Sequence, residues 1–446
     1  MDTQDNRTLG SLFKDNSILL TIVLIAYASN YVFNLIMSNM LEPMDYGDIC
    51  VVLQLLVFFA PFALLGTELS IVKFFPQYLE AKDYGRLHGF IRWSYEVIFG
   101  IAFFILLLSS FIVFISMIVS SKGTAFERWH IMVYSIWLVP IYALNTMLAM
   151  VLQALKKYYH STVFSGITSI GITFIINVLL FVFWKVFAGS WFGRDQLRFS
   201  VVFIIAFGFT ITALYQLYLC RRFFPKDVWE AKPIHEQELW RETSWKMLIS
   251  TAIFAGLMSI DIVLIELLSH NERSVAQFAA ISVICGSIYV FGTAIDMIVN
   301  PQIALLMGKN DVQKLQTLLN KMNLFKIVPA LIFLFGIFIF GRPILSLFGK
   351  SFPAADIPLS IVAVSFFIGL CFNSAGALLV YTKHQVLNFW LSVTQIAYIF
   401  LGDIIFIPEY GLLGAVSVLG SSIIISAFIR AFFVRKHLSI KSFFIL

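Results

Sequence analysis

The sequence predicts an all-α integral membrane protein in which twelve transmembrane helices form two parallel six-helix bundles around a central cleft. Composition, charge placement and an internal repeat support this fold class. Of 446 residues, 60% are hydrophobic and 13% are charged, and the mean hydropathy is +0.89. Soluble domains contain about 25% charged residues, because their surface faces water rather than lipid. The composition therefore excludes a soluble enzyme with a single membrane anchor.

Twelve apolar segments are each predicted to cross the membrane, since a spanning helix needs about 20 apolar residues. The first is expected to be retained rather than cleaved as a signal peptide, because Asp2, Asp5 and Asp15 precede it. The ninth is short and is predicted to extend past Lys326 or Arg342. In order, the segments are 17–37, 49–72, 93–119, 130–154, 163–187, 198–220, 246–268, 276–299, 326–341, 359–381, 387–407 and 413–434.

Basic residues are distributed unequally between alternate loops. With both termini on the cytoplasmic side, the inner stretches contain 23 of the 31 Lys and Arg residues, and the outer ones contain 8. Cytoplasmic loops are enriched in Lys and Arg, so this count predicts that both termini are cytoplasmic. The inner loops also account for the net charge of +6, and no nucleic-acid partner is expected.

The longest hydrophilic connection, residues 221–246, lies near the middle of the chain and contains two prolines. We interpret it as the linker between two halves, residues 1–234 and 235–446. The outer loops are too short to fold as domains, so the substrate is expected to be handled within the helix bundles.

The two halves contain the same succession of residues at the inner ends of their second helices. Gly66-Thr67, an acid, Pro76-Gln77 and a Lys-Asp turn recur as Gly292-Thr293, an acid, Pro301-Gln302 and a Lys-Asn-Asp turn. The Pro-Gln pairs lie 225 residues apart, against a half-length of 223. Six helices separate them, so the repeats run parallel, and rocking of one bundle against the other would give alternating access. The amphipathic stretch after the second pair is expected to lie along the inner interface.

Several short motifs resemble the polysaccharide-biosynthesis (Wzx-type) flippases of the multidrug/oligosaccharidyl-lipid/polysaccharide exporter superfamily. The first outer turn reads Leu-Glu-Pro-Met-Asp-Tyr-Gly at 41–47. The second helix leaves through Phe75-Pro76 into a Tyr-Leu…Lys-Asp…Leu stretch that ends at Leu87. Asp261 resembles an acid that this family often places in the seventh helix.

The resemblance implies that the protein moves a polyprenyl-diphosphate-linked oligosaccharide from the inner to the outer leaflet of a bacterial cytoplasmic membrane. Such a head group cannot cross hydrocarbon unaided, because each unpaired polar group costs several kcal/mol there. Membrane lipid and other polysaccharide-assembly membrane proteins are the further partners expected.

Intramembrane carboxylates are the candidates for coupling transport to a proton or Na⁺ gradient, because such charges are costly and are kept for function. The candidates are Asp261, Glu266, Glu68 and Asp296. Asp403, near the outer end of the eleventh segment, is either a further candidate or an interfacial carboxylate.

Amides and cations are the candidates for the substrate head group. Asn30 and Asn34 lie one helical turn apart, and the stripe they form suits sugar hydroxyls or contacts between helices. Lys73 and Arg430 lie near inner helix ends, where they either bind phosphate or extend to the interface. Asn177 and Asn373 are weaker candidates of the same kind.

No catalytic, nucleotide-binding or metal-binding motif occurs, so no enzyme activity, cofactor or metal is predicted. The four cysteines lie far apart and favour neither a disulfide nor a zinc site. A drug/cation antiporter of the same superfamily is the nearest alternative. A peptidoglycan-precursor flippase, a major-facilitator transporter and a membrane polysaccharide polymerase or ligase are less favoured, the last because it needs a large outer loop.

Overall fold

The computed structural model describes residues 17–119, 124–155, 194–269, 273–308, 311–380 and 384–438, with 157, 160, 178, 179, 182, 271, 382 and 440. Helices and one short 3₁₀ turn, Pro353–Ala355, are its only regular elements within these ranges. The helices are α1 Ser17–Met40, α2 Pro43–Leu64, α3 Thr67–Glu80, α4 Tyr84–Val119, α5 Thr124–Ala154, α6 Arg194–Phe223, α7 Lys226–Glu230, α8 Gln237–Leu268, α9 Arg273–Gly308, α10 Val312–Ser346, α11 Asp356–Phe372, α12 Ser374–Val380, α13 Gln385–Tyr410 and α14 Leu412–Leu438.

Eleven stretches of the described chain are long and apolar enough to cross a membrane. There is one for each predicted segment except the fifth, 163–187, which lies outside the described residues apart from three isolated positions. The predicted all-helical membrane fold is therefore confirmed.

The second predicted span, 49–72, is two helices rather than one. Leu65 and Gly66 adopt positive φ angles of 51° and 72°, which interrupt the helix between α2 and α3. Gly66 is required there because a Cβ would lie 2.2 Å from the carbonyl oxygen of Ser244 and 2.6 Å from the amide nitrogen of Leu248. Close approach of the α8 backbone and a left-handed conformation together demand glycine.

Replacing Gly66 with Ala is expected to lower the free energy of unfolding by about 2 kcal/mol or more, since the methyl group meets backbone that cannot yield. Gly100→Ala is the matched control, because its Cβ would meet nothing within 4 Å. Thermal unfolding of both variants in detergent measures the difference. Equal midpoints for the two variants would show that the break tolerates a side chain.

The ninth span belongs to a single helix of 35 residues, α10, which includes both predicted flanks, Lys326 and Arg342. Asp311 caps its start by accepting a hydrogen bond from the amide of Lys314 at 3.1 Å. The amphipathic stretch expected along the interface is thus the first part of the spanning helix, which corrects that prediction. The helix continues from one part into the other despite Pro329 near the junction.

The tenth span is also divided, into α11 and α12, at Asn373. By contrast, α13 and α14 form a tight hairpin about Gly411, whose φ of 55° ends α13. Pro408 precedes this turn within the last residues of α13. These two features place α12, α13 and α14 as consecutive helices of one packed group.

The chain divides into two compact units. The first unit is Ala28–Phe33 with Asp48–Ser259, and the second is Met1–Tyr27, Asn34–Gly47 and Ile260–Leu446. Helix α8 contributes residues to both, with Ser259 and Ile260 at the division. These bounds follow packing, whereas the predicted halves follow the repeat, and the division at residues 234 and 235 stays a prediction.

Within the first unit, the mid-chain linker is docked rather than loose. Its extended part lies over Gly89, where a Cβ would be 2.0 Å from the carbonyl oxygen of Ile234. The Ile234 amide donates to the Gly85 carbonyl at 2.9 Å, and Arg86 pairs with Glu236 at 2.8 Å. Glycines on α4 therefore form the groove that fixes the start of α8.

Candidate functional site

Two carboxyl groups meet inside the second unit. Asp261 on α8 and Asp403 on α13 each lie seven residues before the end of their helix, about 10 Å along the axis. Their side chains reach each other and are 4% and 0% exposed as residues. The structure therefore joins the strongest sequence candidate to a carboxylate that the sequence placed near an interface.

This carboxyl pair requires a proton or a cation. Two ionised carboxylates have only acceptors, so a hydrogen bond between them forms only when one holds a proton. Oδ1 of Asp261 and both oxygens of Asp403 have no hydrogen-bond donor. Two buried, unpartnered negative charges would be strongly destabilising. A shared proton or a bound cation would relieve this repulsion.

Arg430 on α14 is a buried cation with neutral partners. Its guanidinium donates to the hydroxyls of Ser426 at 3.4 Å and Ser392 at 3.0 Å, and to Oε1 of Gln395 at 3.2 Å. Its Nε is buried without a partner. No carboxylate of the described residues forms an ion pair with it, so its positive charge remains available to an anion.

Helix α13 connects these two features. Ser392 and Gln395 face Arg430, and Asp403 lies eight residues beyond Gln395, about 12 Å along the helix. A cation and a carboxyl pair are therefore held by one rigid element. We call the set formed by Asp261, Ser392, Gln395, Asp403 and Arg430 the α13 polar site.

A second polar cluster lies between α9, α10 and the break after α11. Asp296 accepts from Lys326, whose side chain is 0% exposed, and from Nδ2 of Asn373 at 2.8 Å. Asn323 accepts from Ser374 at 3.1 Å. Asp296, a sequence candidate for ion coupling, thus has a lysine as counterion in this structure.

Glu68 occupies the first turn of α3 in the first unit, directly after the helix break. It is 6% exposed, and its Oε2 has no partner. The hydroxyl of Thr251 on α8 is its side-chain contact. Lys73, one turn further along α3, is exposed with its ammonium 4.9 Å from the Phe74 ring centroid. Glu68 and Asp261 belong to different units.

The remaining candidates are not members of the α13 polar site. Asn34 is buried and its Oδ1 accepts from the Tyr46 hydroxyl at 2.9 Å, a contact between α1 and α2. Asn30, half-buried, belongs to the first unit. Glu266 is half-buried five residues after Asp261 and is not part of the carboxyl pair. Asn177 lies outside the described residues.

Sequence reasoning did not find Lys326 or the pairing of Asp261 with Asp403. One signal was present for the pair. The seventh and eleventh predicted spans cross the membrane in the same direction, so residues equally far from the ends of these two helices lie at equal depth. No comparable signal marked Lys326, which stood as a flank of a short apolar segment. Within the described chain, no group of three or more His, Cys, Asp or Glu residues could hold a metal ion.

The spanning helices define a multi-pass membrane protein, and its fold is similar to solved structures of MOP superfamily transporters. The chain is similar to an inward-facing multidrug resistance MATE family transporter of that superfamily, with TM-score 0.71 and 15% identity over 95% of this chain and 98% of that one. It is also similar to the lipid II flippase MurJ in an inward closed conformation, with TM-score 0.69 and 14% identity over 94% of this chain and 87% of that one. A MOP superfamily transporter from Pyrococcus furiosus has TM-score 0.63 and 14% identity over 96% of each chain.

The family is shown by sequence. The model of the polysaccharide biosynthesis protein family matches residues 12–308, about two thirds of the chain, and the chain belongs to that family. The comparison with curated proteins gives no match. The family resemblance inferred from the motifs is confirmed.

Proposed function

We propose that this protein is a flippase that moves a polyprenyl-diphosphate-linked oligosaccharide from the inner to the outer leaflet of a bacterial cytoplasmic membrane. Both termini are cytoplasmic, and the mechanism is alternating access without a chemical reaction. Family membership and the transporter fold support the class of activity. The substrate, the direction and the membrane are the new parts of the proposal.

Arg430 is the observation that carries the choice of substrate. A charged side chain in a spanning helix costs about 2.5–3.5 kcal/mol on insertion, and neutral hydroxyls and an amide offset that cost only in part. A guanidinium matches a phosphate with two parallel hydrogen bonds. Its buried Nε and its neutral partners favour an anionic head group, whereas a drug cation would be repelled.

The carboxyl pair supports coupling to a proton or Na⁺ gradient. Asp261 is joined to Asp403, which is connected through α13 to the residues that hold Arg430. A proton or cation arriving at the pair can therefore bias the same helix that the anion contacts. Glu68 and Glu266 stay candidates for additional coupling sites. Polysaccharide-assembly membrane proteins are the partners that would deliver and consume the glycan.

Deleting the gene is expected to leave lipid-linked glycan on the cytoplasmic face, where an external lectin cannot reach it. Complementation with Arg430→Gln should restore surface glycan at one tenth of the wild-type rate or less, about 1.4 kcal/mol on the barrier. Arg342→Gln is the control, because Arg342 lies near the C-terminal end of α10, is 75% exposed and forms an ion pair with Asp356. Lectin labelling of intact and lysed cells, with immunoblots for protein amount, measures both.

Normal surface polysaccharide in the deletion strain, accompanied by sensitivity to cationic drugs, would replace the flippase with the drug/cation antiporter. Equal transport by Arg430→Gln and Arg342→Gln would remove Arg430 from the head-group site while leaving the flippase assignment in place.

A further inference from the structure

Three exposed cations at one end of the second unit lack ion-pair partners among the described residues, unlike several cations of the first unit. In the first unit, Arg86, Arg92 and Lys246 each form an ion pair with a nearby carboxylate. In the second unit, Lys321, Arg435 and Lys436 are exposed, and none has an ion pair within the described ranges. We call these three residues the basic collar.

The basic collar lies at one end of the second unit because a single apolar cluster joins its helices. Leu315 and Leu319 of α10 pack in this cluster with Leu378 of α12 and Val434 of α14. The α10 helix is 35 residues long, about 52 Å, which exceeds a hydrocarbon thickness of about 30 Å. Its polar first turns must therefore extend beyond the hydrocarbon. Lys321 of the basic collar lies in this N-terminal part of α10.

Each collar cation continues a stripe of lipid-facing side chains. On α10, Phe325, Val328 and Ile332 are 53%, 48% and 67% exposed, and Lys321 lies one turn before them. On α14, Phe428 and Phe432 are 53% and 61% exposed, and Arg435 and Lys436 follow. Cations that end two lipid-facing stripes are placed at the depth of phospholipid head groups.

Two further observations concern the surroundings of the basic collar, namely its depth in the membrane and the acids near it. Trp390, 59% exposed near the start of α13, is of the type enriched at head-group depth. The acids of this end, Asp311 and Asp296, are already paired with Lys314 and Lys326. The basic collar therefore faces lipid without a carboxylate of the described chain to neutralise it.

We propose that the basic collar binds the head groups of anionic phospholipids and anchors this end of the second unit to a negatively charged leaflet. The complementary charge and the depth select a phospholipid phosphate. The orientation expected from the loop charges puts the collar at the cytoplasmic leaflet, where anionic lipids attract basic residues.

The test uses the full-length protein in vesicles with trace spin-labelled phosphatidylglycerol or phosphatidylcholine. Each cation near an anionic surface contributes about fivefold in binding. Wild type is expected to prefer phosphatidylglycerol at least fivefold, and Lys321→Gln/Arg435→Gln/Lys436→Gln to prefer it less than twofold. A triple variant of Arg86, Arg92 and Lys246 to Gln removes the same charge from cations that are already paired in the first unit, and should keep the preference.

An equal preference in wild type and the collar variant would overturn the proposal, as would an equal loss in both triple variants. A thermal unfolding midpoint for the collar variant in detergent verifies that it is folded. Lipid association is measured without any transport substrate, so the outcome is independent of the proposed flippase activity.

Discussion

Asp296→Asn is expected to destabilise the protein by about 3–5 kcal/mol, because it leaves the fully buried Lys326 without its counterion. That loss is a large share of the roughly 5–15 kcal/mol by which proteins are stable. The variant should therefore unfold at a temperature several degrees lower in detergent and accumulate poorly in membranes. Thermal unfolding followed by tryptophan fluorescence measures it.

Two comparisons test the cause. Asp296→Asn combined with Lys326→Met removes both charges and should recover most of the loss, since an apolar side chain of similar length replaces the pair. Glu242→Gln breaks the exposed pair with Lys246 and should leave the unfolding midpoint almost unchanged. If the double variant is as unstable as Asp296→Asn, the counterion is not the reason, and the hydrogen bond from Asn373 becomes the explanation.

Asp261→Asn is expected to reduce flipping at least tenfold, about 1.4 kcal/mol on the barrier, while folding and membrane insertion survive. The amide donates to Asp403 permanently, which reproduces the occupied state of the carboxyl pair and prevents its release. The remaining transport should lose its dependence on pH and Na⁺. Transport into vesicles at several pH and Na⁺ values, with protein amount determined in parallel, measures this.

Asp403→Asn should cause the same loss, and the double variant should be no worse than either single one, because both residues act as one site. Glu409→Gln is the control, since it removes an exposed carboxylate from the same helix. Normal transport by Asp261→Asn across the whole range would make Asp261 structural, and additive losses would separate it from Asp403.

Most of the fold was predictable because a membrane span requires a long apolar segment, and such segments are visible in the sequence. Each predicted segment except the largely undescribed fifth corresponds to a stretch long and apolar enough to cross a membrane, and the short ninth segment extends past both flanks. The interruptions within the spans were harder to predict from the sequence. Gly66 breaks the second span, whereas Gly292, its counterpart in the repeat, lies inside the continuous helix α9. Glycine permits a left-handed residue without requiring one, and the approach of α8 decides which occurs.

The site was predictable as a set of residue types but not as contacts. Asp261 and Arg430 stood out because charges are rare in spanning helices. Asn34 was equally plausible from its position, but its amide oxygen is bonded to Tyr46. The function of an amide depends on its neighbour across helices, and spacing along one helix contains no information about that neighbour.

The sequence by itself determined the class of protein, the spans and the family, because hydrophobicity, charge and motif order are properties of the chain read in one dimension. Only the tertiary structure decided that Asp403 joins Asp261, that Lys326 neutralises Asp296 and that Arg430 has neutral partners. The physical reason is that the energy of a buried charge is set by the groups within a few ångströms of it. In a bundle, those groups come from helices 30 to 142 positions away in the chain.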